Sequence, residues 1–89
     1  MYTTFMIIAF SSTHQAIHFE RLLLHKHAIE LIPTPREVSA SCGLSLKFEI
    51  EDLTAILKEL ENEDKTGVQL YEVVIHDGGQ KVVTMSWGA

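Results

Sequence analysis

Residues Phe5 to Phe10 form an unbroken apolar run, and the stretch from Tyr2 onward is rich in aromatic and β-branched residues. A segment apolar on both pleat faces is expected of a strand with neighbours on both sides and cover on both faces, which places Tyr2 to Phe10 at the centre of a sheet. Ser11-Ser12-Thr13 stops it, and Ser12 followed three residues later by Gln15 fits a capping box, with Thr13 and His14 in the first helical turn. The helix is expected to run to about Lys26. It would bury Ala16, Ile17, Phe19, Leu23 and Leu24, expose Glu20, Arg21 and His25, and end on a left-handed His27.

Ile29 to Ile32 reads as a short strand ended by Pro33, which removes a donor from the ladder. Leu44, Leu46, Phe48 and Ile50 then alternate with Ser45, Lys47 and Glu49, the period of a strand with one dry and one wet face. Glu51 and Asp52 supply negative charge at the start of a second helix, whose Leu53, Ile56, Leu57 and Leu60 make one apolar stripe at i, i+3, i+4 and i+7. Asn62 to Gly67 is a polar exit in which Gly67 is free to take a positive φ. Val68 to His76 is a strand, and Asp77-Gly78-Gly79 signals a hairpin into Gln80 to Met85. Trp87 is expected to pack over an edge, with self-association as its alternative role.

The order β-α-β-β-α-β plus a terminal hairpin strand predicts an α+β fold, a two-layer sandwich with both helices on one face of the sheet, closed in the ferredoxin-like manner. At 89 residues the chain makes one domain, residues 1–89, with a modest core and no room to enclose a large cofactor; none is expected. A net charge of −5 without a basic cluster makes nucleic acid and anionic membranes poor partners and a protein with a basic patch a better one. The early apolar run is too short for a signal peptide core or a membrane span. A single cysteine forms no internal disulfide, so a reducing, cytoplasmic setting is expected, and a homodimer stays open as an option.

That cysteine, Cys42, lies in Pro33 to Leu44 with both of the chain's prolines. Ser41 and Gly43 flank it, so its sulfur is expected to be approachable, and Arg36 is positioned to stabilise a thiolate. The plainer reading is a buried structural thiol. In the ferredoxin-like closure the first two strands run parallel, which brings the loop from Ser11 to His14 and the loop from Pro33 to Gly43 to one end. The amino terminus of the first helix would then favour the thiolate, and His14 would act as a cation or accept the thiol proton. Ser12 is first a cap. Ser39 and Ser41 either donate to the sulfur or satisfy the loop backbone, and Gly43 serves either its own backbone angles or an N–H close to sulfur. His14 and His18 at i, i+4 lack the flanking pattern of a metal site, so no metal is expected.

Ser12-Thr13-His14 followed by Pro35-Arg36-Glu37-Val38-Ser39-Ala40-Ser41-Cys42-Gly43 resembles a family of small bacterial domains named putative selenium/sulfur carrier protein-like. The resemblance runs from about Phe10 to Asp52. It implies a carrier that accepts sulfur or selenium on Cys42 as a persulfide or perselenide from a donor enzyme and passes it to an acceptor protein. The candidate site is Cys42 with Arg36 and His14 as its reactive partners and Ser12, Thr13, Ser39, Ser41 and Gly43 around it. Unlike sulfur-relay carriers with a Cys-Pro-x-Pro motif, the prolines here precede the cysteine. The competing readings are an interaction or regulatory domain with a structural cysteine, and a stand-alone cysteine enzyme with His14 as base.

Overall fold

The computed structural model describes residues 3–38, 40 and 42–87. Its elements are β1 (Thr3–Phe10), α1 (Thr13–Leu23), β2 (Glu30–Pro33), β3 (Leu44–Phe48), a 3-10 turn (Ile50–Asp52), α2 (Leu53–Glu59), β4 (Val68–His76) and β5 (Gly79–Met85). The five strands form one sheet in the order β2-β3-β1-β4-β5, each neighbouring pair antiparallel. β1 is central, as its two-faced apolar pattern requires. β1 and β2 are both antiparallel to the β3 that separates them, so they run in the same direction.

Alternation along β1 divides the core in two. Met6, Ile8 and Phe10 point to the face that carries both helices and pack with Ala16, Phe19 and Leu23 of α1 and with Ile56 and Leu60 near α2. Phe10 and Phe19 meet edge to face with centroids 5.3 Å apart. Ile7 and Ala9 point the other way and pack with Val73 and with Val38, a residue of the loop after β2. Full burial of each large aliphatic side chain contributes about 1.5–3 kcal/mol.

The start of α1 follows the sequence. Ser12 Oγ accepts from the Gln15 N–H at 3.3 Å, one half of the capping box. The Gln15 side chain does not close the other half: it accepts from Ser11 Oγ (2.9 Å) and donates to the Thr66 carbonyl (2.7 Å), tying the helix start to the loop before β4. The end of α1 corrects the expectation. The helix stops at Leu23, and the N–H groups of Lys26 and His27 both donate to the Leu23 carbonyl. No non-glycine residue among those described has a positive φ, so His27 is not left-handed. Ile17 and Leu24 are exposed (40% and 51%) rather than buried. Each follows directly after a core residue, Ala16 or Leu23, and one residue rotates the side chain by about 100° off the stripe.

In β3 the dry face is as expected, but Ser45 is fully buried where a wet position was predicted, and Ile50 leaves the strand for the 3-10 turn, where it is 41% exposed. α2 buries Ile56 and Leu60, with Leu53 and Leu57 half-buried. The hairpin register pairs His76 with Gly79, leaving Asp77 and Gly78 as its turn. Trp87 packs against the helix-side core, and its Nε1 donates to the Val68 carbonyl at 3.0 Å.

Gly67 has φ +74°, its carbonyl accepts from the Ser11 N–H at 2.9 Å, and a Cβ there would collide with Ser11 Oγ. Gly67→Ala is therefore expected to lower stability by about 1–3 kcal/mol, read as an earlier urea midpoint with unchanged slope. A midpoint equal to that of the wild type would mean that the β1 and β4 ends move apart freely.

Candidate functional site

Cys42 is held where β1 ends. Its N–H donates to the Phe10 carbonyl at 3.2 Å, and the Thr34 N–H donates to the Gly43 carbonyl at 2.9 Å. The Thr34 hydroxyl donates to the Cys42 carbonyl at 3.3 Å and lies 2.8 Å from Ser45 Oγ. A hydroxyl has one proton, so Ser45 is the donor in the second contact. This pair explains the burial of Ser45. Between these anchors the loop turns, with the Val38 N–H donating to the Pro35 carbonyl at 3.0 Å. Val38 then sits on Ile7, Ala9 and Val73, and Glu37 accepts from Gln80 Nε2 of β5 at 3.2 Å. The loop crosses the sheet face that the helices leave open.

The sulfur is not open to solvent. Cys42 is a free thiol, 4% exposed, packed in the helix-side core, which corrects the expectation of an approachable sulfur. The physical reason is the N–H bond to Phe10, which continues the β1 edge and draws residue 42 into the layer under α1. Thr13 Oγ1 lies 3.6 Å from Sγ, and Thr13 is an exposed residue, so a side chain that touches the sulfur also meets solvent. Toward a thiolate the threonine hydroxyl is the donor; toward a thiol either atom donates.

The structure thus joins Thr13 to Cys42 and leaves His14 elsewhere. One residue further around α1, His14 is exposed and lines shallow grooves with His18, Phe19, Glu63 and Arg21. No hydrogen bond links it to Sγ. His18 is 2.9 Å from Glu63 Oε1. Arg36 is exposed, and among the described residues its guanidinium has neither an ion pair nor a hydrogen bond. Ser12 is the helix cap. Gly43 has no positive φ and a Cβ there would meet nothing within 4 Å, so its backbone angles do not demand glycine. Ser39 and Ser41 lie outside the described residues. Among those described, no group of three His, Cys, Asp or Glu is arranged to hold a metal, and no helix is long and apolar enough to cross a membrane.

Three contributors escaped the sequence reading: Thr34, Ser45 and Val38. Val38 carried a signal, as the lone large aliphatic residue in an otherwise small and polar loop. Thr34 and Ser45 carried none, because their pairing depends on the β2–β3 register that sets Ile32 opposite Ser45. Beside the loop a shallow pocket of about 240 Å³ is lined by Ala9, Phe10, Ser11, Ala40, Gly67, Gln69 and Tyr71, without a charged group.

A family model described as "Putative Se/S carrier protein-like" matches residues 5–72, from β1 into β4. Over 58 residues the chain is 33% identical to an uncharacterized protein of Methanocaldococcus jannaschii, a match covering 65% of this chain and 29% of that protein. The match therefore spans less than a third of the relative's length. No solved structure matches the chain.

Thr34→Val is expected to cost about 1–3 kcal/mol, because it strands the fully buried Ser45 hydroxyl. Adding Ser45→Ala removes the stranded group and should recover part of the loss in denaturant titrations. Strictly additive losses in the double variant would refute the pairing.

Proposed function

The chain belongs to the "Putative Se/S carrier protein-like" family, and on that basis we propose that Cys42 carries a single sulfur or selenium atom between a donor enzyme and an acceptor protein. The observation that supports it best is the contact of Cys42 Sγ with Thr13 Oγ1, which sets the chain's one thiol at the first turn of α1. That turn is the amino-terminal, positive end of an 11-residue helix. Antiparallel β2-β3-β1-β4 order with both helices on one face supports reading the scaffold as ferredoxin-like, extended by β5.

The chemistry is thiol exchange on a persulfide. The Cys42 thiolate attacks the outer sulfur of a donor persulfide, the donor's S–S bond breaks, and its inner sulfur leaves as a thiolate. Cys42 then carries the outer sulfur as its own persulfide, with no net oxidation or reduction. Delivery repeats the step with an acceptor thiolate, and selenium follows the same course as a perselenide. Thr13 Oγ1 is the described group in reach of the attacking sulfur, and it would donate to the anion. Arg36 and His14, both exposed, would meet the docked partner rather than the resting thiol. Ser39, Ser41 and Gly43 belong to the same loop and complete the proposed site; a reducing compartment such as the cytoplasm suits its chemistry.

Burial of Cys42 favours a second reading, an interaction domain whose cysteine is structural. The two part cleanly by experiment. A carrier incubated with a cysteine desulfurase and cysteine should gain the mass of one sulfur, lose it to reductant, and gain nothing as Cys42→Ser. Iodoacetamide should modify the native carrier at a measurable rate, and Thr13→Val should change that rate while Thr13→Ser does not. A native thiol that takes neither sulfur nor alkylating agent, and reacts only in denaturant, would leave the structural reading standing.

A further inference from the structure

The two edges of the sheet are unlike. β2 has four residues, starts at Glu30 and ends at Pro33, so it is short, charged and lacks a donor at its end. These are the usual means of blunting an edge. β5 has seven residues, no proline, a single charge at Lys81, and an unbroken register against β4 from Gly79 to Met85. In an antiparallel ladder alternate residues turn their N–H and C=O groups outward, which leaves about three residues of β5 with unpaired ladder groups. Its Val83 is 37% exposed on the helix side, and Ile75 of β4, which pairs with Gln80 on the other face, is 38% exposed.

We propose that β5 is a homodimer edge, with the β5 strands of two copies running antiparallel about a two-fold axis at Val82. The chain's own residues favour a second copy as occupant. A two-fold perpendicular to the sheet keeps both helical layers on one side and pairs residues that share a face. Centred on Val82, it sets Val82 against itself, Gln80 against Thr84 and Lys81 against Val83, with no like charges opposed. Centred on Lys81, it would oppose two lysines.

Charge supports the Val82 register further. Val83 pairs with Glu72 on β4, while Lys81 pairs with Val74, so Lys81 and Glu72 share the helix-side face. Among the described residues neither has an ion-pair partner. In the dimer Lys81 of one copy lies opposite Val83 of the other, two strand spacings or about 9.5 Å from that copy's Glu72, within reach of the two side chains. Two Lys–Glu bridges would then flank the axis. Cys42, on the far side of β1, plays no part, so the proposal stands or falls separately from the carrier reading.

Sedimentation equilibrium under reducing conditions tests it, since reductant removes any Cys42 disulfide. A monomer–dimer equilibrium is expected, and hydrogen exchange should show β5 amides gaining protection as concentration rises. Lys81→Glu should weaken association about tenfold, and Lys81→Glu with Glu72→Lys should restore it, each variant being checked for folding by circular dichroism. A wild type that stays monomeric to about 1 mM would overturn the proposal. So would a dimer whose β5 amides exchange as fast as in the monomer, or one indifferent to the charge reversal.

Discussion

Everything in this fold answers to β1, which buries five consecutive residues, Met6 to Phe10, and so demands cover on both faces of the sheet. Two helices in an 89-residue chain cover one face. The other is left to whatever chain remains, and the loop after β2 takes that role through Val38 and Ala40. To reach both Val73 and, through Glu37, the β5 residue Gln80, the loop must cross the sheet. Its return to β3 then brings Cys42 alongside the end of β1. The thiol is buried because the returning loop bonds to the Phe10 carbonyl at the end of β1, which carries Cys42 into the helix-side core.

That coupling bears on the proposed chemistry. A persulfide is more reactive than its parent thiol, so a carrier gains from shielding its cargo between donor and acceptor. On the α1 side the sulfur touches Thr13, an exposed residue, whereas the loop that holds it is anchored by Thr34, Ser45 and the Phe10 carbonyl. Access from the α1 side therefore disturbs less of the fold than access from the sheet side, where Val38 would have to leave Ile7 and Val73.

Most of the architecture was legible where a period or a stop signal was strong. The β1 run, the β4 strand with its exact bounds, the Asp77-Gly78 turn, Ser12 as cap and the positive φ of Gly67 all follow from local chemistry. Ile17, Leu24 and His27 were misread because an apolar residue next to a helical stripe looks like part of it, and because a helix end can close on right-handed turns. Ser45 was misread because alternation reports which residues share a face, not whether a distant loop lies over that face. At the site, the sequence brought the two loops together correctly but chose His14, the more reactive side chain. A helix turns about 100° per residue, and that rotation gives the sulfur to Thr13 instead.

The family match closes at residue 72, partway along β4, so β5 lies outside it. The described hydrogen bonds that place Cys42 come from β1, α1 and the loop around Thr34, all within the match, while β5 touches the loop through the Glu37–Gln80 hydrogen bond and the packing of Val82. A strand added at the edge of an antiparallel sheet extends the ladder without altering the register of the strands already paired. The thiol's surroundings are thus set by the part of the chain shared with the family, while β5 governs what the sheet edge presents. The proposed association edge, β5, and the proposed transfer thiol, Cys42, lie on opposite sides of β1 in the strand order.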